Sequence, residues 1–168
     1  MLSVIALFLF PVLMAYAAAS DLLTMRIANW LVLLIGALYF VMALLAQIPL
    51  SEIGMAVAAA AIVLVIAFAF FAFNWIGGGD AKLVSATTLW VGFGLMLQYL
   101  IYAALLGGML TMLILTIRRY PLPLWAMKHR WIERLHDKKT GVPYGIALAI
   151  AALLIYPQTL IFQHFIGA

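Results

Sequence analysis

Long apolar runs separated by short polar clusters set the organisation of this chain. A helix that crosses the hydrocarbon core of a bilayer needs about 20 mostly apolar residues. Leu2 to Ala19 is the first such run, Ile27 to Gln47 the second and Ile53 to Trp75 the third. The run from Leu83 to Ile117 is too long for one crossing, and two shorter helices turning near Gly94 to Gln98 fit it. Pro143 to Phe165 supplies the last. The pattern predicts an all-α, polytopic membrane protein: a six-helix transmembrane bundle forming a single membrane-embedded domain over residues 1–168. The first run has the apolar core and small final residues of a secretory signal but no basic segment before them, so it is read as a permanent helix.

Charge placement tests that count. Cytoplasmic loops of membrane proteins carry an excess of Lys and Arg. The nine basic residues are Arg26, Lys82, Arg118, Arg119, Lys128, Arg130, Arg134, Lys138 and Lys139. With six crossings all of them fall on one side, and both termini lie on the other, non-cytoplasmic side. If Leu83 to Ile117 were one helix, the basic residues after it would change sides. Residues 118–142 form the one long loop, basic and expected to be cytoplasmic. A helix starting at Pro123 would put Leu124, Met127, Trp131 and Leu135 on one face, as in an amphipathic helix lying on anionic lipid. A plain positive-inside anchor explains the same residues.

Composition narrows the chemistry. Hydrophobic residues make up 69% of the chain and charged residues 8%, against roughly half and a quarter in soluble domains. With no Cys, a disulfide framework, a thiolate zinc site and a Cys nucleophile are excluded. His129 and His136 share the basic loop while His164 is expected on the opposite side, so they form no metal set. Ser3, Ser20, Ser51 and Ser85 are the only serines, and none sits in a G-x-S-x-G elbow. No metal, cofactor or nucleic-acid partner is expected.

That leaves the five acids. Glu133 and Asp137 lie among the cations of the long loop and read as solvated ion pairs. Glu52 is placed at the start of the third helix. Asp21 and Asp80 each stand at the edge of an apolar helix, where an ionisable group is costly and often functional. Taken alone, Asp80 in "GGGD" is a loop and an N-cap, and Asp21 is a helix end, with Thr24 and Asn29 satisfying loose backbone groups. Taken together they differ, because both are expected at the same depth, at the inner face. Two carboxylates meeting in a poorly solvated site titrate as a coupled pair. Such a pair can take a proton from water and protonate a peptide leaving group. Gly77, Gly78 and Gly79 would then let a substrate backbone come close.

These residues also carry a resemblance. Gly77-Gly78-Gly79-Asp80-Ala81-Lys82-Leu83 is similar to the G-x-G-D-x-K-L motif of the prepilin leader peptidases, aspartyl proteases of the membrane. Asp21 to Asn29, with Thr24 and Ile27-Ala28-Asn29, resembles the family's first aspartate motif, in which Pro usually stands where this chain has Ala28. Pro143-Tyr144-Gly145-Ile146-Ala147 resembles its P-Y-G-I-A opening of the last helix. The resemblance implies a multi-pass protease of the bacterial inner membrane with its active site facing the cytoplasm. Asp21 and Asp80 would be catalytic, and Gly77, Gly78, Gly79, Lys82, Asn29, Pro143, Tyr144 and Gly145 would shape the loop and contact substrate. Its substrates would be prepilins and pseudopilins, cut between a short basic leader and an apolar helix, and its other partners anionic membrane lipids. Larger members carry a Cys-bearing segment associated with N-methylation. The Cys-free chain resembles the short form that serves Flp (Tad-type) pili, so methyltransferase activity is not among the expectations.

Other readings use the same acids. A small transporter or a non-catalytic pilus-assembly subunit would use Asp21 and Asp80 to bind ions or protons, but such proteins usually hold polar groups near mid-membrane. Here the helix centres offer little beyond Thr87, Thr88 and Thr111. Presenilin-like proteases carry P-A-L where this chain has Pro143-Tyr144-Gly145. The archaeal preflagellin peptidases share more of the pattern. Lys82 and Arg26 also fit a simple role marking the inner interface.

Overall fold

The helices end where the backbone can turn. The computed structural model describes residues 2–123 and 128–167, with side chains from residue 7 onward. In chain order, α1 spans Leu2–Thr24, α2 Asn29–Leu45, α3 Leu50–Ala72, α4 Gly78–Val91 and α5 Phe93–Ile117. The basic loop holds α6, Arg130–His136. α7, Gly145–Ile155, runs through a 3₁₀ turn at Tyr156–Gln158 into α8, Leu160–Gly167. No strand occurs among the described residues.

Met25, Gln47 and Asn74, just beyond α1, α2 and α3, have left-handed backbones with φ of 55°, 50° and 59°. After α2 the N–H of Ile48 reaches back to the Ala43 carbonyl at 2.9 Å, and that of Gln47 to Leu44 at 3.1 Å. After α3, Trp75 and Asn74 do the same to Phe70 and Phe71, both at 2.9 Å. The Trp75 and Phe70 rings lie 5.4 Å apart, the apolar contact that usually accompanies this helix ending.

The break between α4 and α5 lies earlier than the sequence suggested. It falls at Gly92, whose φ of 77° suits a residue without Cβ, and Gly94 to Gln98 lie inside α5. The last apolar run is also divided. Pro157 has no N–H to continue a helix, and α8 leaves α7 at a bend of 46°. α1 from Leu7, α3 and α5 are long and apolar enough to cross a bilayer, and the bent α7–α8 pair would make a fourth span. α2 is a shorter apolar helix of 17 residues, and α4 has 14, about 21 Å of helix against a hydrocarbon core of about 30 Å. Large apolar side chains such as Leu33, Val65 and Met112 face outward, which suits lipid and not water. This is a membrane protein.

α4 forms the centre and packs against α2, α3, α5 and α7. It is the most polar long helix, and its buried hydroxyls find partners nearby. Ser85 donates to the Ala81 carbonyl at 3.0 Å and Thr88 to Val84 at 2.7 Å, so neither leaves an unmet polar group. At one end, Phe10 stacks on Trp90 and packs on Tyr156, with centroids 4.8 Å apart in both pairs. The Trp90 indole N–H donates to the Ile35 carbonyl at 2.9 Å. These contacts fasten α1, α2 and the 3₁₀ turn to α4, and the aspartates lie at its other end.

The described helix of the basic loop, α6, is short. The expected positions Leu124 and Met127 lie outside the described residues. α6 docks on α1 through Arg134, whose guanidinium donates to the Leu23 carbonyl at 3.3 Å. The Asp137 carboxylate accepts the backbone N–H of Lys139 at 2.9 Å.

Candidate active site

Asp21 lies on the last turn of α1 and is 5% exposed. Its Oδ2 accepts the backbone N–H of Gly145 at 2.8 Å. Gly145 is the first residue of α7, so the carboxylate meets unpaired amides and the positive end of a helix dipole. Contact this close requires glycine. A Cβ on Gly145 would lie 2.8 Å from that oxygen and 3.0 Å from Ile27 Cδ1.

Asp80 reaches the site by a similar device. It is the third residue of α4, and the N-cap, one of the two readings the sequence offers for Asp80, is Gly77. Its carboxylate folds back over the Gly77 amide, as the acid of a capping box does. Here too a methyl would intrude, since a Cβ on Gly77 would lie 2.8 Å from Asp80 Oδ2. Gly78 lets the loop rest on α3, where a Cβ would come 3.1 Å from the Phe71 ring. Gly79 lets it rest on the segment after α1, where a Cβ would come 3.2 Å from Ile27 Cβ. The glycine triplet is therefore a packing surface that seats Asp80 against α3 and the segment between α1 and α2.

Both carboxylates line one cavity of about 490 Å³, together with Ser20, Thr24, Arg26, Asn29 and the three glycines. They are near enough to interact electrostatically. The segment between α1 and α2 closes one side of it. The Ser20 hydroxyl donates to the Arg26 carbonyl at 3.0 Å, and the Thr24 hydroxyl lies 2.7 Å from the Ser20 carbonyl and 3.2 Å from that of Arg26. Ala28 caps α2 with φ −69° and ψ 139°, a backbone that proline would also adopt. The turn therefore keeps a backbone that suits the proline usual in the family pattern.

Most other residues singled out from the sequence gather around the two acids. The Lys82 ammonium donates to Asn29 Oδ1 at 2.9 Å and so ties α4 to the start of α2. Pro143 is fully buried. The Tyr144 hydroxyl donates to the Ala103 carbonyl of α5 at 3.3 Å. The ring packs against Gly107 and leaves no room there for a Cβ.

Two supporting residues were not legible as such. Gly107 reads as an ordinary small residue of a membrane helix, and only the pair Gly107-Gly108 inside α5 hints at a close approach. In the sequence Arg118 reads only as one more basic residue, yet it is 7% exposed. Its Nε donates to the Leu135 carbonyl at 2.8 Å, and its Nη2 to Gly141 at 2.9 Å and to Thr140 Oγ1 at 3.3 Å. It ties the end of α5 to the strand of loop that delivers Pro143, Tyr144 and Gly145.

The site is thus two carboxylates from separate helices, each set close against a glycine at a helix start, in a shared cavity large enough for water and part of a peptide. Paired carboxylates can divide general-base and general-acid work between them. Comparison with known proteins bears on what the site does. No curated protein and no solved structure matches the chain. The type IV leader peptidase family, Peptidase_A24, matches it over residues 8–112, a stretch that contains both Asp21 and Asp80. With well over half its length matched, the chain belongs to the type IV leader peptidase family and is a peptidase of the membrane.

Proposed function

We propose that Asp21 and Asp80 are the catalytic pair of an aspartic endopeptidase that removes the short basic leader from prepilins and pseudopilins. The observation that carries this reading is their meeting in one cavity from two helices well separated within the matched region. The ionised member takes a proton from water, which attacks the scissile carbonyl. The protonated member serves the carbonyl oxygen and then the leaving amine. The backbone amide of Gly145 holds the Asp21 carboxylate in place while charge moves between the pair.

The reaction is placed at the cytoplasmic face. Arg26, Lys82 and the basic loop cluster at the aspartate end, which the positive-inside rule assigns to the cytoplasm. A six-helix bundle with both termini outside agrees with that assignment. Anionic lipids would surround this basic rim. A basic leader then lies where it is made, and the bond after it meets the aspartates at the membrane edge.

Co-expression with a candidate prepilin tests the reading, with processing followed as a mobility shift on a gel. Asp21→Asn and Asp80→Asn should each insert and fold but process nothing. Normal processing by either variant refutes the pair.

A further inference from the structure

Asp80 borders a second space of opposite character. A groove of about 300 Å³ that Asp21 does not line runs between α3 and α5, bounded by Ile66 and Phe70 of α3, Leu100 and Ala104 of α5, and Leu148 of α7. Its walls are almost wholly apolar, and Asp80 is its one charged lining residue. Tyr144 stands beside Asp80 in the same lining, pinned against Gly107. Ile66, Phe70 and Ala104 are exposed, so the groove opens towards lipid. One carboxylate therefore separates a cavity lined by Ser20, Thr24, Arg26 and Asn29 from a trough of aliphatic and aromatic side chains.

We infer that the groove between α3 and α5 is the docking site for the apolar segment that follows the scissile bond of the substrate. The inference rests on the peptidase reading above. A substrate cut at Asp80 has a chain on each side of that carboxylate. The two spaces that meet there fit a chain that changes from polar to apolar at the point of cleavage. A lipid tail would match the groove but not its continuity with the polar cavity. Ala103 and Ala104 keep the α5 wall shallow, so a helix can approach closely. Affinity would come from apolar segment length and fit, and the site of cleavage from the change in polarity.

The absence of Cys from the chain permits a direct test. Ala104→Cys and, as control, Leu105→Cys are placed in the Asp80→Asn protein in phosphatidylcholine–phosphatidylglycerol vesicles. Leu105 is exposed, lies outside the groove and sits about 100° further round α5. The probe is a synthetic peptide of basic leader, Gly and apolar segment, with one Cys in that segment. Mild oxidation should join the peptide to Ala104→Cys and not to Leu105→Cys. Equal joining at both positions, or none at Ala104→Cys, overturns the inference and leaves the groove to lipid. With Asp80 restored, Ala104→Trp should raise KM for the peptide severalfold at unchanged kcat. A fall in kcat alone would mean that Ala104 supports the aspartates and not the substrate. Cleavage by the Asp80→Asn protein would sink the catalytic reading while leaving the crosslink result intact, so the two failures are distinct.

Discussion

Glycines at 77 and 145 have the same function at two helix ends: each leaves room for a carboxylate to reach a backbone amide. Gly145→Ala would put a methyl 2.8 Å from Asp21 Oδ2 and displace it. Misplacement of a catalytic group by about 1 Å can cost on the order of 10²-fold in rate. Gly145→Ala should therefore cut kcat by that order in an assay on purified enzyme, with the helical content unchanged by circular dichroism. Ala28 offers the opposite case. Its φ of −69° already suits proline, and such a change usually stabilises by about 0.4–1 kcal/mol through the unfolded chain. Ala28→Pro should raise the thermal midpoint in detergent and leave activity unchanged. The two acids were legible because costly polar groups stand out in an apolar chain, whereas the contact between Lys82 and Asn29 was not, since each residue alone reads as a loop or interface position. The capping position of Asp80 was not, since the sequence cannot tell a cap at residue 80 from a carboxylate folding back on residue 77.

Helices bring these residues together, and Arg118 governs how the last of them arrives. Its guanidinium spans Leu135, Thr140 and Gly141, with the planar fork that Lys lacks. Arg118→Met would remove the donor from the half-buried Leu135 carbonyl and from the Gly141 carbonyl, at about 0.5–1.5 kcal/mol for each lost hydrogen bond. The expected outcome is a lower thermal midpoint and faster proteolysis of residues 137–142, with Arg118→Lys recovering only part of the loss. Unaltered proteolysis would show that the loop is held by other contacts. The apolar runs revealed the helices, but not all of their limits. The turn at Gly92 was placed a few residues late, because Gly94 and Gln98 look equally able to break a helix and only the backbone angle separates them. The role of Arg118 was hidden for a related reason: a positive residue at a helix end is explained by membrane topology alone.

Topology and chemistry meet at the scale of the molecule. If the basic end faces the cytoplasm, single cysteines at Ser51 and Lys138 should label differently. A membrane-impermeant maleimide should reach Ser51→Cys on intact cells and Lys138→Cys only after permeabilisation. The reverse pattern would turn the active site outward. Interacting acids that share the work of one reaction should also give a bell-shaped pH profile in kcat/KM, with limbs that belong to the pair and not to either residue. The most direct test of the pair is kinetic: cleavage of one prepilin peptide by the unaltered enzyme, Asp21→Asn, Asp80→Asn and the double variant. General acid–base catalysis contributes about 10²–10⁴-fold, and residues that act as a unit lose their effect together. Each single variant should be as slow as the double. If either kept most of the rate, or if the two losses multiplied in the double variant, the aspartates would not be working as one catalytic unit.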